Sequence, residues 1–386
     1  MNKKTVVVIT TGWFPEGDAG AVRLRMMGRA LIDGGYSVSV LCRGKANDFG
    51  VIDGIHYQSL RTKEQGTLSK LFDYLFFPKR TRDFLKLNQK HIGAIYIYNA
   101  HEMVFKYCKK YCEKTGIKLF HDCVEWYSPE EYKLGRFDPW YRSKNRINSK
   151  IIDNKFKIIA ITRYLENYFQ KKGISTIRVP ILCDSKMRME PKEKHSGDTL
   201  TVFYGGLPGT KDLVGNLLEA ALLLEDEEKA KLRIIIVGAT AQYLENVSGV
   251  NPQTMTACSK FLTLCGRVSR QEVLQLMEEA DFAFLARDAK LRYAQAGFPS
   301  KVVEALSNAT PVLCNITSDL SDYLIDGYNA LICKDHSPES ISVALKKALS
   351  LSVEEKQRLS INALETAKRK FDYRSYVNLI SDFFSQ

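Results

Sequence analysis

The chain has 386 residues, 45% of them hydrophobic and 26% charged, with a formal net charge of +12. Such a composition excludes a disordered or collagen-like chain, and the length is enough for two domains with separate cores. No apolar run approaches the roughly 18 residues that a membrane-spanning helix needs.

In chain order, Met1 to Thr10 begins with two lysines and a short apolar run broken by Thr10, Thr11 and Gly12, without a small-residue cleavage site. It reads as a first buried strand rather than a signal peptide. Strands are then expected near Thr5–Thr10, Ser37–Cys42, Ala94–Tyr98, Lys118–Cys123, Lys157–Ile161 and Thr176–Val179, with helical patterns between them. A second series follows near Leu200–Tyr204, Arg233–Val237, Phe261–Cys265, Phe282–Leu285, Pro311–Cys314 and Ala330–Ile332. Alternating strands and helices imply a parallel sheet wound on both faces, and two such series imply two Rossmann-like domains. The intervening Pro180 to Gly197, with Pro191 and many Lys and Glu, has the composition of a linker, which puts the domains at 1–182 and 198–370. The tail, about 371–386, has large apolar residues at helical spacing.

Charge is uneven along the chain. Residues 1–190 hold 34 Lys and Arg against 19 Asp and Glu, about +15, which leaves about −3 for the remainder. A basic front half suits an anionic partner: nucleic acid, a membrane surface or a phosphorylated acceptor. Of the nine cysteines, Cys42, Cys265 and Cys314 stand in apolar strand contexts as small core residues. Cys108 and Cys112 are one helical turn apart without a second pair, so metal binding is not expected there and the compartment reads as reducing.

The loops at strand ends carry the chemistry. Gly297 and Pro299 close a loop before a helix whose first residues, Ser300 and Lys301, stand where unpaired amides face a ligand, and Glu304 follows one turn later. A phosphate fits the helix start and a sugar hydroxyl fits the carboxylate; the plain alternative is a helix with an ordinary first-turn acid. The first strand runs into a loop with Gly12, Gly17 and Gly20, whose spacing is neither the dinucleotide fingerprint nor a P-loop. Another strand ends in His121, Asp122, Glu125, Trp126 and Tyr127, a histidine with acids and flat aromatic faces suited to sugars, and His101 marks a helix start that faces the same acceptor side. There is no Asp-x-Asp triplet to hold a metal-bound nucleotide sugar.

The segment Gly297 to Leu313 resembles the donor-binding signature of retaining glycosyltransferases of the GT-B fold, family 4 (group 1), in which a Glu-x7-Glu segment precedes a small residue, Thr or Lys, Pro and an apolar strand. The second Glu falls on Glu304 and the first on Ala296, a departure similar to a branch of the family found in surface-polysaccharide synthesis. The resemblance implies an α/β GT-B architecture: two doubly wound domains, a cleft between them, and a last helix that crosses back to the first domain. It implies donor phosphates near Gly17 and Gly20, and a nucleobase cradled by Gly266, Arg267 and Val268. Backbone contacts to the sugar are expected around Ala296, Gly297 and Phe298, with Ser300 and Lys301 on the diphosphate. In the family an Arg and a Lys clamp that diphosphate; here the Arg position is Gly206 and the Lys is Lys211, so Arg287, Arg292 or Lys301 is expected to compensate. His121, Lys211 and Glu304 are the expected catalytic residues, and His101, Glu125, Trp126 and Tyr127 the acceptor side. No metal or cofactor is implied beyond a UDP- or GDP-linked sugar as substrate, and no nucleic acid. The acceptor is expected to be a glycan or a lipid-diphosphate-linked saccharide. The aromatics and cations of Thr67 to Lys90, among them Lys79, Arg80 and Arg82, suggest a cytoplasmic protein peripherally attached to the anionic inner face of the membrane. A non-catalytic sugar-nucleotide binder or an epimerase on the same fold are the alternatives.

Overall fold

The computed structural model describes residues 5–62, 67–187 and 199–386, the side chains of 67–74 and 187 excepted. The start of the chain before Thr5 and the linker residues Pro191 and Gly197 lie outside the described residues. The chain forms two compact units, Met1–Cys183 with Asp372–Gln386, and Asp184–Phe371.

The first unit is built on eight strands: β1 (Thr5–Thr10), β2 (Ser37–Cys42), β3 (Phe49–Ile52), β4 (Ile55–Ser59), β5 (Ile92–Tyr98), β6 (Lys118–Cys123), β7 (Lys157–Ala160) and β8 (Thr176–Arg178). Their order is β3-β4-β2-β1-β5-β6-β7-β8, and every pair but β3/β4 is parallel. β1 is a near-continuous run of buried β-branched residues, as a strand covered on both faces must be. The helices are α1 (Ala19–Asp33), α2 (Thr67–Leu87), α3 (Glu102–Thr115), α4 (Pro139–Arg146) and α5 (Arg163–Lys171). The β3/β4 hairpin was not expected. Its turn is Asp53-Gly54, both at positive φ (49° and 77°), the two-residue type that matches strand twist, so the signal was present in the chain.

The second unit has six parallel strands in the order β11-β10-β9-β12-β13-β14: β9 (Leu200–Gly205), β10 (Leu232–Val237), β11 (Leu262–Gly266), β12 (Phe282–Leu285), β13 (Val312–Asn315) and β14 (Ala330–Cys333). Its helices are α6 (Val214–Leu222), α7 (Asp226–Ala230), α8 (Ala241–Asn246), α9 (Pro252–Ala257), α10 (Arg270–Glu279), α11 (Arg292–Ala296), α12 (Ser300–Ser307), α13 (Pro338–Leu349) and α14 (Val353–Lys370).

After α14 the chain returns to the first unit as α15 (Val377–Ser385). The Phe384 ring stacks on Phe120 of β6 at 3.9 Å, Phe383 meets the same ring edge-on at 5.6 Å, and the Arg29 guanidinium of α1 covers Tyr373 at 4.5 Å. Burying three such rings contributes several kcal/mol, which accounts for the tail belonging to the first core. Cys108 and Cys112 are buried in α3, and burial pushes both thiols up, Cys112 to about 12, as befits inert core residues.

Candidate functional site

In the second unit the strand order reverses between β9 and β12, which is where a doubly wound sheet opens a crevice at its carboxyl ends. The loops after these two strands are tied together there. The Leu213 amide donates to the Ala286 carbonyl at 2.9 Å, and Arg287 is held by Asn315, which accepts from its amide (3.0 Å) and donates to its carbonyl (2.9 Å). Between the loops sits Asp212, buried and bonded on all sides: Arg287 Nε donates at 2.6 Å, Lys301 Nζ at 2.9 Å and the Tyr204 hydroxyl at 2.8 Å. Burial alone would raise the Asp212 carboxyl, but Arg287 and Lys301 outweigh it and hold the group below the usual carboxylate range. Lys211 Nζ stands 5.5 Å from the Tyr293 ring centre, and the Tyr293 hydroxyl donates to the Lys211 carbonyl at 3.1 Å. Two cations therefore share one carboxylate, with Lys211 next to it in the chain, a surplus suited to a diphosphate.

Gly206 has φ +116°, and a Cβ on it would lie 3.0 Å from Lys301 Cε. Lys301 thus fills the space beside the position where the resembling family has its Arg. Gly238, at φ +99°, packs its backbone against Gly206 so closely that a Cβ would come within 2.9 Å of the Gly206 carbonyl. Its amide donates to the carbonyl of Gly266, itself at φ +60°. Three adjacent strands thus end in left-handed glycines, which leaves a floor of bare backbone. Val268 is half-buried and Arg267 exposed next to it.

The start of α12 is open. Pro299 at its N-cap has no side-chain donor or acceptor, and the amides of Ser300 and Lys301 have no backbone acceptor among the described residues. Glu304 is half-exposed and paired with Arg270 Nη2 at 2.9 Å, so a ligand hydroxyl must compete with that arginine. Of the expected backbone contacts around Ala296, the Gly297 amide is already engaged by the Tyr293 carbonyl at 3.0 Å, whereas the Phe298 amide has no backbone acceptor among the described residues; Ala296 is fully buried, and the Phe298 ring turns into a cluster with Tyr323 and Phe371. Arg292 opens α11, and the cations that bond Asp212 are Arg287 and Lys301.

In the first unit, His121 of β6 is buried against Phe105 (4.8 Å, edge-on), and its Nδ1 donates to the Ile97 carbonyl at 3.0 Å. A carbonyl only accepts, so the proton is on Nδ1, and Nε2 of the neutral ring is an acceptor. Burial pulls the His121 pKa down to about 4. Next to it, Asp122 is fully engaged in the core: Arg23 donates Nε and Nη2 to its two oxygens at 2.7 Å each, Tyr96 donates at 2.6 Å, and Arg23 Nη1 binds the Pro180 carbonyl. His101 stands at the N-cap of α3 and meets Phe77 edge-on, while Glu125 is exposed and accepts from Tyr127.

Two expectations fail here. Trp126 does not offer a face to sugar: it is buried, donates to Asn145 at 2.9 Å and packs on Tyr168 at 4.5 Å. Gly20 does not offer its amide to phosphate, because Asp18, the N-cap of α1, accepts from it at 2.9 Å, and a carboxylate at a helix start repels an anion. Gly20 instead allows the Tyr98 hydroxyl to approach to 2.8 Å of where its Cβ would be, and Gly17 is exposed in the preceding loop.

Residues 185–366, nearly the whole second unit, match the family described as Glycosyl transferases group 1. The chain carries a group 1 glycosyl transferase domain. This transferase domain has a curated relative in an uncharacterized glycosyltransferase of Methanocaldococcus jannaschii, 21% identical over 245 residues; the match covers 59% of this chain and 58% of that relative's length. The GT-B fold is shared over the full chain with solved structures. Sucrose-phosphate synthase from Thermosynechococcus elongatus superposes with a TM-score of 0.77 at 14% identity, covering 100% of this chain and 99% of its own. HepE of Anabaena, solved with UDP and glucose, gives 0.70 at 14% identity over 100% of both chains. WaaG, a glycosyltransferase involved in lipopolysaccharide biosynthesis, gives 0.69 at 15% identity over 98% and 99%. Beside the residues expected from sequence, the transferase domain adds Asp212, Tyr204, Gly238 and Asn315. Of these only Gly238 had a signal, the recurrence of glycine where successive strands end.

Proposed function

We propose that the protein is a retaining glycosyltransferase that moves a sugar from a UDP- or GDP-linked donor to a glycan or a lipid-diphosphate-linked saccharide in the synthesis of a surface polysaccharide. The observation that carries this reading is the surplus of cations around Asp212 beside the open start of α12. Lys211, Lys301 and Arg287 supply the positive charge that stabilises a departing nucleoside diphosphate, which makes a metal unnecessary to the reading. As the glycosidic bond breaks, negative charge grows on the β-phosphate next to these groups. The acceptor hydroxyl attacks from the same face and passes its proton to the leaving phosphate, so configuration is kept. The glycine floor of Gly206, Gly238 and Gly266 suits the backbone approach of a nucleotide, and Glu304 the ribose hydroxyls. That HepE was solved with UDP and glucose supports a sugar nucleotide as donor. No described helix is long and apolar enough to cross a membrane, and attachment at the inner membrane face belongs to the same proposal.

A thermal-shift screen of UDP-, GDP- and other nucleotide sugars against the full chain tests it, because a ligand of the native state raises the midpoint by mass action. One nucleotide series is expected to stabilise, its free diphosphate included. The NMR signal of the donor anomeric proton should then give way to a product of the same configuration once acceptor is added. An epimer formed from donor alone would contradict the reading.

A further inference from the structure

The first unit has its own point of strand reversal, between β1 and β5, and the residues that meet there include two cations, Lys144 and Arg43, that bond no carboxylate among the described residues. Asn99, at φ +43° after β5, accepts at its carbonyl from the Thr11 hydroxyl at 2.7 Å, and at Oδ1 from Lys144 Nζ of α4 at 2.6 Å. Lys144 also reaches the Ala100 carbonyl at 3.5 Å, so among the described residues it donates to neutral oxygens. Arg43, after β2, is fixed by its amide on the Gly12 carbonyl, while its half-buried guanidinium has no acceptor among the described residues. Between the two cations α3 begins, and the amides of Glu102 and Met103 at its start have no backbone acceptor among the described residues.

The electrostatics agree with this geometry. Burial pulls Lys144 down to about 8, and Lys144 and Arg43 both act on His101, which burial and these two charges bring to about 4. The carboxylate nearest to Lys144 in this respect, Glu125, is exposed and already accepts from Tyr127, and Glu102 is held by Lys106 and Arg146. A half-buried ammonium and guanidinium beside an open helix start lack only an anion. On α4, Trp140 stands one turn before Lys144, on the same side of the helix, and is half-exposed; Phe137 and Leu134 just before it are largely exposed.

We propose that Lys144 and Arg43, with the first turn of α3, bind a phosphate group of the acceptor. The word acceptor rests on the transferase reading; the phosphate site itself does not. Trp140, Phe137 and Leu134 would lie against whatever that phosphate is attached to.

The test is calorimetric titration of the full chain, with the donor site filled by a saturating concentration of the nucleoside diphosphate that it binds. The probes are inorganic pyrophosphate, a hexose 1-phosphate, and farnesyl diphosphate below its micellar concentration. At least one is expected to bind, and Lys144→Met and Arg43→Met should each weaken it at least 10-fold, while Lys144→Arg retains binding and the variants unfold at wild-type temperature. Farnesyl diphosphate binding at least 10-fold tighter than pyrophosphate, with the advantage lost in the Phe137→Ser, Trp140→Ser double variant, assigns the phosphate to a lipid; equal affinity or a preference for the hexose phosphate assigns it to a soluble sugar. Binding of none of the three, or binding indifferent to both Met variants, overturns the site. Failure of every nucleotide to bind would instead strike the transferase reading, and the pyrophosphate titration would still report on the site.

Discussion

Lys301 occupies the space that a side chain at Gly206 would need, with its Cε 3.0 Å from the position of a Cβ there and its Nζ bonded to Asp212 at 2.9 Å. A lysine from α12 therefore stands beside the strand-end position that carries no side chain, and Asp212 sets its position. The bonds to Asp212 come from Arg287 and Lys301, and Lys211 beside it lies over the Tyr293 ring. Lys211→Ala is expected to lower turnover about 100-fold while donor affinity falls less, and Lys301→Met to lower nucleoside diphosphate affinity about 10-fold. Steady-state kinetics with calorimetry separates the two effects.

Asp212→Asn keeps the Tyr204 contact but leaves Arg287 and Lys301 without their common counter-charge. Breaking a buried pair in this way costs about 3 kcal/mol. Chemical denaturation should show that loss, and added nucleoside diphosphate should recover part of it by supplying the missing negative charge.

Glu304→Gln should weaken nucleotide binding about 10-fold, since a ribose hydroxyl loses a charged acceptor. Arg270→Gln is the informative partner. It removes the exposed competitor for Glu304, so affinity should hold or rise, with stability within about 0.5 kcal/mol of wild type.

Ala296→Glu is expected to destabilise the transferase domain rather than to supply the first Glu of the family pattern, because Ala296 is fully buried. Thermal unfolding decides between destabilisation and a gain in rate at unchanged stability.

His121 has a folded pKa of about 4 against about 6.5 when unfolded, so the unfolded chain takes up the proton first as pH falls. The penalty grows from about pH 6.5 to about pH 4 and reaches roughly 3 kcal/mol; above pH 6.5 it is absent. Denaturation of His121→Gln against wild type across this range should show the wild type losing more stability towards acid, and activity should show no inflection from this ring between pH 6 and 8.

The membrane proposal needs a narrower test than the sequence suggested. Arg80 donates to the Leu60 carbonyl and to Thr62, so its replacement would disturb the fold, whereas Arg82 is half-buried and, among the described residues, bonds Asp83. Lys79→Ser with Arg82→Ser is expected to reduce sedimentation with anionic vesicles at low salt, and indifference would favour a soluble acceptor.

The strands of both sheets were legible because buried parallel strands demand continuous β-branched runs, as at Val6 to Ile9 and Ile234 to Val237. The β3/β4 hairpin was missed because its strands are short and half-exposed, although Asp53-Gly54 marked the turn. Lys211, Lys301 and Glu304 could be singled out because they sit at fixed offsets from a strand end or helix start. Asp212 could not, since its role depends on Arg287 and Lys301, 75 and 89 residues away. Trp126 and Gly20 misled for the same reason in reverse: side-chain chemistry suggested ligand contacts, and packing against Tyr168 and Tyr98 had already engaged them.

The account stands most directly on titration of UDP and GDP into the wild-type chain and into the Lys211→Ala, Lys301→Met double variant. It predicts that one nucleotide binds the wild type with micromolar affinity, and that the double variant binds it at least 30-fold more weakly while remaining folded. Binding of neither nucleotide, or equal binding by both proteins, would contradict it.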